Sequence, residues 1–451
     1  MNLKPLLARL AGFADTPFLN SASATFSYGQ LHAEVLRQLE HLQAQGLPAQ
    51  ATVLLLGDYS LSAIALFLAL YQRGNVIALD SSGHAQEVQH KAAAAQAGYL
   101  IDGASGTATR LAEAAAPTAL VASLQARGHA GLVLFSSGST GQPKAMLRDL
   151  DALVAGYLNK RPRRLNIFLF LLFDHIGGLN TLLNLLALGG TATVAAVKTP
   201  DSVAALMARH RVGVLPTSPT FLNLMLINNA FNRYDLSALR MITYGTEPMP
   251  HSLLAALRGQ LPKVKFLQTF GTSETGIAST TSAAAGSLFM RFEAGDTEYR
   301  VVDGELWLRS ATQVLGYLNH SMESFTADGW FKTGDLVEVN AAGEVKILGR
   351  SKEVINVGGE KVYPAEVESV LMQHPGVRDC KAYGERNGLT GQFVAAEVVL
   401  GLAAGEDAQA LLRGIRQFCR GRLDAYKVPV RLKVVEAIGY SARYKKLLIA
   451  S

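Results

Sequence analysis

The chain has 451 residues, 49% of them hydrophobic, with a formal net charge of +6 and two cysteines. Because a single core rarely grows beyond about 250–300 residues, we expect two or more domains. Cys380 and Cys419 match no disulfide framework or metal spacing, so we expect free thiols in a reducing, cytoplasmic compartment.

The charge and hydropathy patterns exclude several classes of protein. Basic residues are spread along the chain without interleaved aromatic side chains, which favours a solvated surface over nucleic-acid binding. Arg9 interrupts the apolar start, so we expect no signal peptide. The apolar run 165–173 is far shorter than the roughly 20 residues that a membrane span needs, and we interpret it as a buried strand.

The N-terminal part alternates between strand and helix patterns. Residues 26–31 open a helical segment, 51–56 form a strand pattern, 62–71 a helix pattern and 75–79 another strand pattern. This rhythm predicts a largely parallel sheet covered by helices.

Residues 135–144 read Phe-Ser-Ser-Gly-Ser-Thr-Gly-Gln-Pro-Lys, after an apolar strand pattern at 131–135 and before a helix pattern at 149–157. Hydroxyl donors, glycines that allow close approach and one lysine suit a polyphosphate, whereas a Ser/Gly surface turn is the alternative. No Gly-Lys-Ser/Thr ending is present, so this is not a Walker loop. The candidate phosphate ligands are Ser136, Ser137, Gly138, Ser139, Thr140, Gly141 and Lys144.

This string resembles the signature loop of the adenylate-forming superfamily, which includes acyl- and aryl-CoA synthetases, adenylation domains of nonribosomal peptide synthetases and luciferases. The resemblance implies an α/β fold with a large N-terminal domain of helix-covered, mostly parallel sheets and a small mobile α+β C-terminal domain. We place the two domains at 1–349 and 350–451. It also implies ATP and Mg²⁺, with CoA or phosphopantetheine as co-substrate.

Residues 171–181 resemble the family motif in which an aromatic or histidine side chain precedes glycines. The resemblance puts His175 where the acid's carboxylate meets ATP, and makes the helix after Gly177 a wall of the acyl pocket. A histidine satisfied by backbone groups at a strand end is the alternative. Asp174 either pairs an amino group, as in amino-acid-activating relatives, or caps the helix.

Two further motifs follow strand patterns at 239–244 and 266–269. The second, residues 270–276, resembles the motif that lines the adenine and acyl site, reaches the α-phosphate and holds Mg²⁺. A carboxylate beside phosphate oxygens is what a hard cation requires. The implied nucleotide ligands are Gly245, Glu247, Phe270, Gly271 and Thr272, the implied metal ligand is Glu274, and the implied acyl-pocket residues are Asp174, His175, Gly177, Tyr244, Gly245 and Gly271.

The motifs at 329–335 and 349–368 resemble the ribose site and the hinge region of the superfamily. By that resemblance Asp335 accepts both ribose hydroxyls, Arg350 touches the ribose and Lys352 is the hinge. Gly358 and Gly359 would line the pantetheine tunnel. Pro364 begins a predicted helix, with glutamates in its first turn as the helix dipole prefers.

Near the chain end, residues 438–448 resemble the segment whose lysine enters the active site. Lys445 aligns with that catalytic lysine, Tyr444 replaces the glycine before it, and Lys446 is a neighbouring candidate. Loss of the glycine restricts the backbone of this segment.

These motifs imply a ligase that activates a small-molecule carboxylic acid as acyl-AMP and transfers it to a thiol, most simply that of CoA. Transfer to an acyl carrier protein or to an amine, and a nucleotide-binding pseudoenzyme, are the alternatives. The apolar pocket walls at 172–186, 216–226 and 244–249 contain no arginine, so we expect a fatty or aromatic acid rather than an amino acid.

Overall fold

The structure, a computed structural model, describes residues 3–111, 116–137, 142–295, 297–401, 407–441, 444 and 446–447. The helices in these ranges are α1 (Pro5–Ala11), α2 (Tyr28–Ala44), α3 (Leu61–Gln72), α4 (Ala85–Ala95), α5 (Ala119–Ala126), α6 (Leu150–Leu158), α7 (Ile176–Leu188), α8 (Pro200–His210), α9 (Pro219–Ile227), α10 (Ala230–Arg233), α11 (His251–Gln260), α12 (Pro364–Leu371) and α13 (Ala408–Arg420).

The strands of the large domain are β1 (Pro17–Asn20), β2 (Thr25–Ser27), β3 (Thr52–Leu56), β4 (Val76–Asp80), β5 (Tyr99–Asp102), β6 (Ala108–Arg110), β7 (Gly131–Ser137), β8 (Pro143–Asp149), β9 (Asn166–Phe168), β10 (Thr191–Thr193), β11 (Val214–Thr217), β12 (Met241–Tyr244), β13 (Lys265–Gln268), β14 (Phe270–Thr272), β15 (Gly276–Ala278), β16 (Thr280–Ser282), β17 (Met290–Phe292), β18 (Thr297–Val302), β19 (Glu305–Ser310), β20 (Gly316–Tyr317), β21 (Phe331–Val339) and β22 (Val345–Arg350). Those of the small domain are β23 (Ile355–Val357), β24 (Glu360–Val362), β25 (Val377–Asn387), β26 (Gly391–Leu400) and β27 (Arg431–Val434).

Two seven-stranded sheets form the centre of the large domain. One has the order β20-β8-β7-β4-β3-β5-β6 and is parallel from β7 to β5, and the other has the order β13-β12-β11-β9-β10-β1-β2 and is parallel up to β1. The predicted helix-covered, mostly parallel sheets are therefore confirmed.

One hydrophobic core joins these two sheets through α2, α3 and α7. Leu19 of β1, Val53 of β3, Phe67 of α3 and Leu183 of α7 are all buried in it. Every residue from 63 to 71 in α3 is buried, which explains why its sequence is apolar on all sides.

The sequence did not predict strand β8, which follows the serine- and glycine-rich loop directly and pairs antiparallel with β7. The predicted helix begins only after it, at Leu150, where the Asp149 side chain caps the helix by accepting from the Ala152 amide at 3.0 Å. The predicted strand at 165–173 is shorter, because β9 covers only Asn166–Phe168.

A third, six-stranded sheet of the large domain has the order β16-β17-β22-β21-β19-β18 and is antiparallel throughout. It ends at Arg350, the last residue of β22. The 3-10 helix Ser351–Glu353 then leads to the small domain. The predicted domain boundary thus lies at the end of this strand.

The small domain is α+β, as expected. Strands β24, β23, β26 and β25 pair antiparallel and β27 pairs parallel with β26. Val367 of α12 and Ile415 of α13 pack on this sheet together with Cys380 and Cys419, which are buried free thiols. In the described part of the chain, no helix combines the length and apolarity required to cross a bilayer.

Candidate active site

The predicted phosphate loop connects β7 to β8 as a hairpin. Ser136 pairs with Lys144 across it, and Asn319 holds the start of β8 by accepting from the Ala145 amide and donating to the Pro143 carbonyl, both at 2.9 Å. The ligands predicted at Gly138, Ser139, Thr140 and Gly141, and the side chain of Ser137, lie outside the described residues.

The hairpin brings Lys144 near the predicted metal ligand. Lys144 Nζ lies 6.0 Å from the centre of the Tyr317 ring, and the Tyr317 hydroxyl donates to Glu274 Oε1 at 3.3 Å. Burial, and then the negative charge of Glu274, raise the pKa of Tyr317, which therefore keeps its proton. A lysine and a carboxylate thus face one another across a tyrosine.

Arg148 is a site residue that the sequence reading missed. It is 1% exposed on β8, and its guanidinium donates to the carbonyls of Thr312, Ser273 (2.8 Å) and Glu274 (3.1 Å). The only signal was an arginine directly after the apolar residues 145–147. The phosphate hairpin and the Glu274 backbone are therefore held together by one buried cation.

The motif at 270–276 forms the hairpin β14–β15. Thr272 Oγ1 accepts from the Thr275 amide at 3.0 Å and shapes the turn that presents Glu274. A Cβ on Gly271 would lie 2.4 Å from the Gly276 carbonyl oxygen, so only glycine fits. Phe270 packs edge-on against Phe292 of the antiparallel sheet.

Tyr244 and Gly245 lie at the end of β12, beside β13. The Tyr244 side chain is buried, which raises its pKa to about 12. A Cβ on Gly245 would come within 2.6 Å of the Thr269 carbonyl oxygen. Glu247 accepts from the Thr220 amide at 2.6 Å and so joins this loop to the start of α9.

His175 is the residue before α7 and its backbone is extended, as at a helix start. Its amide donates to the Leu172 carbonyl at 3.2 Å, which forms the turn before the helix. Gly177 is the second residue of that helix, but the tighter position is Gly178, where a Cβ would lie 2.0 Å from the Leu172 carbonyl oxygen. No role was predicted for Gly178, although the Gly177-Gly178 pair in the sequence was the available signal.

Asp174 is buried beside a cation. Its Oδ2 atom lies 3.3 Å from Lys91 Nζ, and Lys91 also pairs with Asp80 (2.5 Å) and Glu87 (3.0 Å). Burial lowers the pKa of Lys91, but these carboxylates outweigh burial and raise it overall. His175, and not Asp174, occupies the position immediately before α7, which does not favour the helix-capping alternative for Asp174.

The two predicted ribose ligands lie directly opposite one another. Asp335 on β21 pairs with Arg350 on β22, and Arg350 Nε lies 3.0 Å from Asp335 Oδ1. Arg350 also donates to the Thr333 carbonyl at 2.6 Å, and the Asp335 carboxylate is buried. The pairing of neighbouring strands therefore places the backbones of the two residues directly opposite one another.

The predicted hinge and tunnel residues follow this pair in the sequence. Lys352 is exposed in the 3-10 helix Ser351–Glu353 between the domains. Gly358 and Gly359 form the exposed turn between β23 and β24, with φ of 62° and 95°. An open cleft of about 650 Å³ borders Gly359 and Arg386 in the small domain.

Near the chain end, Lys445 lies outside the described residues, but its neighbours on both sides are described. Tyr444 contacts the large domain, where its ring packs on Phe221 with centroids 4.9 Å apart. Lys446 binds the small domain, through Glu368 at 2.7 Å and the Cys380 carbonyl at 2.6 Å. Tyr444 and Lys446 therefore contact different domains.

The residues present fit one Mg²⁺ in the manner typical of that ion, which uses one or two carboxylates and completes its shell with phosphate oxygens and water. Glu274 is half-buried and, within the described part of the chain, its carboxylate forms no ion pair. His129, Asp149 and Asp151 form another group with metal-ligand geometry, but their carboxylates already bind Arg127, Lys4 and the backbone amides of Ala130 and Ala152.

Comparisons with known proteins agree with this architecture. Residues 6–318 match the family described as AMP-binding enzyme, and residues 366–441 match the AMP-binding enzyme C-terminal domain. The chain belongs to the AMP-binding enzyme family.

Among relatives, indoleacetate–CoA ligase of Aromatoleum aromaticum is 28% identical over 335 residues, which are 69% of this chain and 64% of that enzyme. The matched regions span 40% to 64% of the length of the curated relatives.

Two solved structures share the fold over nearly the whole chain. The anthranilate CoA ligase AuaEII, in complex with anthranoyl-AMP, has a TM-score of 0.81 at 21% identity, covering 98% of this chain and 96% of its own. The amide bond synthetase McbA from Marinactinospora thermotolerans has a TM-score of 0.77 at 22% identity, covering 97% and 96%. The fold is that of an adenylate-forming enzyme.

Proposed function

We propose that the protein is a ligase that uses ATP to convert a carboxylic acid into acyl-AMP and then transfers the acyl group to the thiol of CoA. The observation that carries this proposal is that Lys144 lies beside Tyr317, whose hydroxyl donates to Glu274, in an AMP-binding enzyme whose large domain also holds the Asp335–Arg350 pair. The names of the relatives, among them CoA ligases for aryl and acyl acids, support the thiol acceptor.

In the first step, a carboxylate oxygen of the acid attacks the α-phosphorus of ATP. The new O–P bond forms as the bond to the β-phosphate oxygen breaks, and pyrophosphate leaves. Lys144 and Lys445 neutralise charge on the phosphates, while Asp335 and Arg350 orient the ribose. Mg²⁺ held by Glu274 and phosphate oxygens would supply further charge neutralisation.

In the second step, the thiolate of CoA attacks the carbonyl carbon of acyl-AMP, and AMP leaves with the electron pair of the broken C–O bond. We propose that the small domain turns about Lys352 between the steps. Such a turn would withdraw the Lys445 segment and bring Gly358 and Gly359 towards the acyl group. The exposure of the Gly358–Gly359 turn and the contact of Tyr444 with the large domain are consistent with the arrangement for the first step.

The substrate class in this proposal is a fatty or aromatic acid without an amino group. The buried carboxylate of Asp174 already lies 3.3 Å from Lys91, a lysine that it shares with Asp80 and Glu87, so a substrate ammonium would compete with a cation already in place. The apolar surroundings of Tyr244 and Phe221 favour a hydrophobic acyl body. A reducing, cytoplasmic location also belongs to the proposal, supported by the two buried free thiols.

Pyrophosphate exchange with a panel of acids tests the first step. We expect exchange with octanoate, benzoate or a homologue to exceed exchange with every proteinogenic amino acid. Faster exchange with an amino acid, abolished in Asp174→Ala, would contradict the substrate class. Absence of exchange with every acid, despite binding of ATP, would favour the pseudoenzyme.

Product mass tests the acceptor when CoA, a carrier protein and amines are offered together. A CoA thioester is the expected product. A thioester of the carrier protein or an amide would leave the adenylation step intact and change only the acceptor.

A further inference from the structure

Tyr444 has an unusual backbone. Its φ is 51°, in the left-handed region that glycine enters freely and other residues rarely occupy. The resemblance described above puts a glycine at this position. Tyr444 therefore adopts a glycine-like conformation that is energetically unfavourable for tyrosine. Such a conformation persists only where surrounding contacts compensate for its energy.

The side chain and the carbonyl of Tyr444 contact the large domain, whereas its amide donates to the Ser441 carbonyl at 2.9 Å. The Tyr444 ring lies 5.4 Å from the Phe170 ring and 4.9 Å from the Phe221 ring, centroid to centroid. Its hydroxyl donates to the carbonyl of Lys198, and its own carbonyl accepts from Ser218 Oγ at 3.0 Å. The ring, the hydroxyl and the backbone carbonyl of Tyr444 are thus each held by the large domain.

Tyr440 and Lys446, which flank Tyr444 in the sequence, are held by the small domain. Tyr440 pairs with Lys446 in an isolated β-bridge, and its hydroxyl donates to Asp379 of β25. Lys446 Nζ binds Glu368 of α12 at 2.7 Å. Tyr440 and Lys446 are thus attached to the small domain, and Tyr444, which lies between them in the sequence, is attached to the large domain.

The anchor on the large domain also connects to the predicted acid site. Lys198, whose carbonyl accepts from Tyr444, extends its side chain to Asp58 Oδ2 at 3.0 Å. The other oxygen of Asp58 accepts from the Phe173 amide at 3.4 Å, two residues before His175. The position of Tyr444 is therefore linked to the loop that presents His175.

We propose that Tyr444 is a positioning residue, an interdomain latch that holds the Lys445 segment at the acid pocket during adenylation and must be withdrawn before thiol transfer. This inference rests on the proposed function. A glycine at this position would give the same backbone but no ring or hydroxyl. Withdrawal of Tyr444 removes an aromatic side chain from its packing and breaks its hydrogen bonds. The latch therefore favours the arrangement for the first step, in which Tyr444 contacts the large domain.

The domain arrangement can be measured without catalysis. Spin labels attached at Leu389→Cys in the small domain and Val339→Cys in the large domain report one interdomain distance. The native Cys380 and Cys419 are 0% exposed, so we expect the reagent to label only the two introduced cysteines. We expect one dominant distance in the parent protein. In Tyr444→Ala the population at a second distance, relative to the population at the first, should rise at least about tenfold. In Tyr444→Phe it should rise by less.

The matched control is Tyr383→Phe, which removes a hydroxyl whose partner, Glu385, lies in the same domain. It should leave the distances unchanged. Identical distributions in the parent protein, Tyr444→Ala and Tyr444→Phe would overturn the latch. If Tyr444→Ala does not fold, Tyr444→Phe decides, since it retains the ring and any shift then reports the lost hydroxyl.

The two half-reactions separate a latch from a merely structural residue. In Tyr444→Ala we expect kcat for adenylation to fall at least about tenfold with KM for ATP unchanged, while the rate of CoA transfer from supplied acyl-AMP stays equal or rises. Tyr444→Phe should recover most of the adenylation. Equal loss of both half-reactions would overturn the proposal. If the parent protein adenylates no acid, the proposed function fails, but the distance measurement still tests the latch.

Discussion

Replacement of Arg148 by methionine tests whether one buried cation holds the phosphate hairpin to the Glu274 turn. The Arg148 guanidinium donates to three backbone carbonyls, those of Thr312, Ser273 and Glu274. Methionine retains an unbranched apolar side chain of similar length but leaves these acceptors without their donor.

The expected magnitude is the balance of two effects. Burial lowers the pKa of Arg148 to about 10, although Tyr157 and Glu274 act in the opposite direction, and this shift corresponds to about 3 kcal/mol of disfavoured charge. Three hydrogen bonds from a charged donor contribute about 1.5–3 kcal/mol each. The hydrogen bonds outweigh the burial of the charge, so we expect Arg148→Met to destabilise the large domain by about 3 kcal/mol.

Urea unfolding, followed by a probe in the large domain, measures this loss, and pyrophosphate exchange measures its consequence. Because the Glu274 backbone is no longer fixed, KM for magnesium-ATP should rise about tenfold. The control is Arg291→Met, which removes an exposed ion pair with Glu344 and should change stability by less than about 0.5 kcal/mol. Equal unfolding midpoints for the two variants would refute the proposed clamp.

Four further substitutions test the predicted nucleotide site, the predicted catalytic lysine and the predicted hinge. Gly271→Ala should destabilise the β14–β15 hairpin by about 2 kcal/mol or more and weaken ATP binding in calorimetry, because its Cβ would lie 2.4 Å from a carbonyl oxygen; normal binding would contradict the close packing. Lys445→Ala should depress adenylation strongly and spare thiolysis of supplied acyl-AMP. Lys446→Ala should mainly lower the melting temperature, because it removes the ion pair with Glu368. The reverse pattern would shift the alignment by one residue. Lys352→Pro should spare adenylation and strongly slow CoA transfer when each half-reaction is assayed separately. Equal loss of both would count against the hinge.

Short motifs and local periodicity determined much of the architecture in advance. The helix α3 and strands β3, β4 and β7 lie within a few residues of their predicted positions because each is encoded by an uninterrupted apolar pattern. The pairing of Asp335 with Arg350 joins two residues that the sequence had already assigned to one ribose. Their roles in binding stay predictions.

The sequence did not reveal the partners of polar side chains that lie far apart along the chain. Arg148 and the Ser273 carbonyl are separated by 125 positions, Lys91 and Asp174 by 83, and Tyr444 and Lys198 by 246. Local patterns contain no information about such pairs.

The sequence by itself thus determined the family, the order of the motifs and the nature of the groups that could bind a nucleotide, because these depend on residue types at short spacing. Only the tertiary structure decided that Asp174 has a buried lysine beside it and that Tyr444 packs in the large domain. Both outcomes depend on which surfaces the fold brings into contact, and burial then makes each polar contact obligatory.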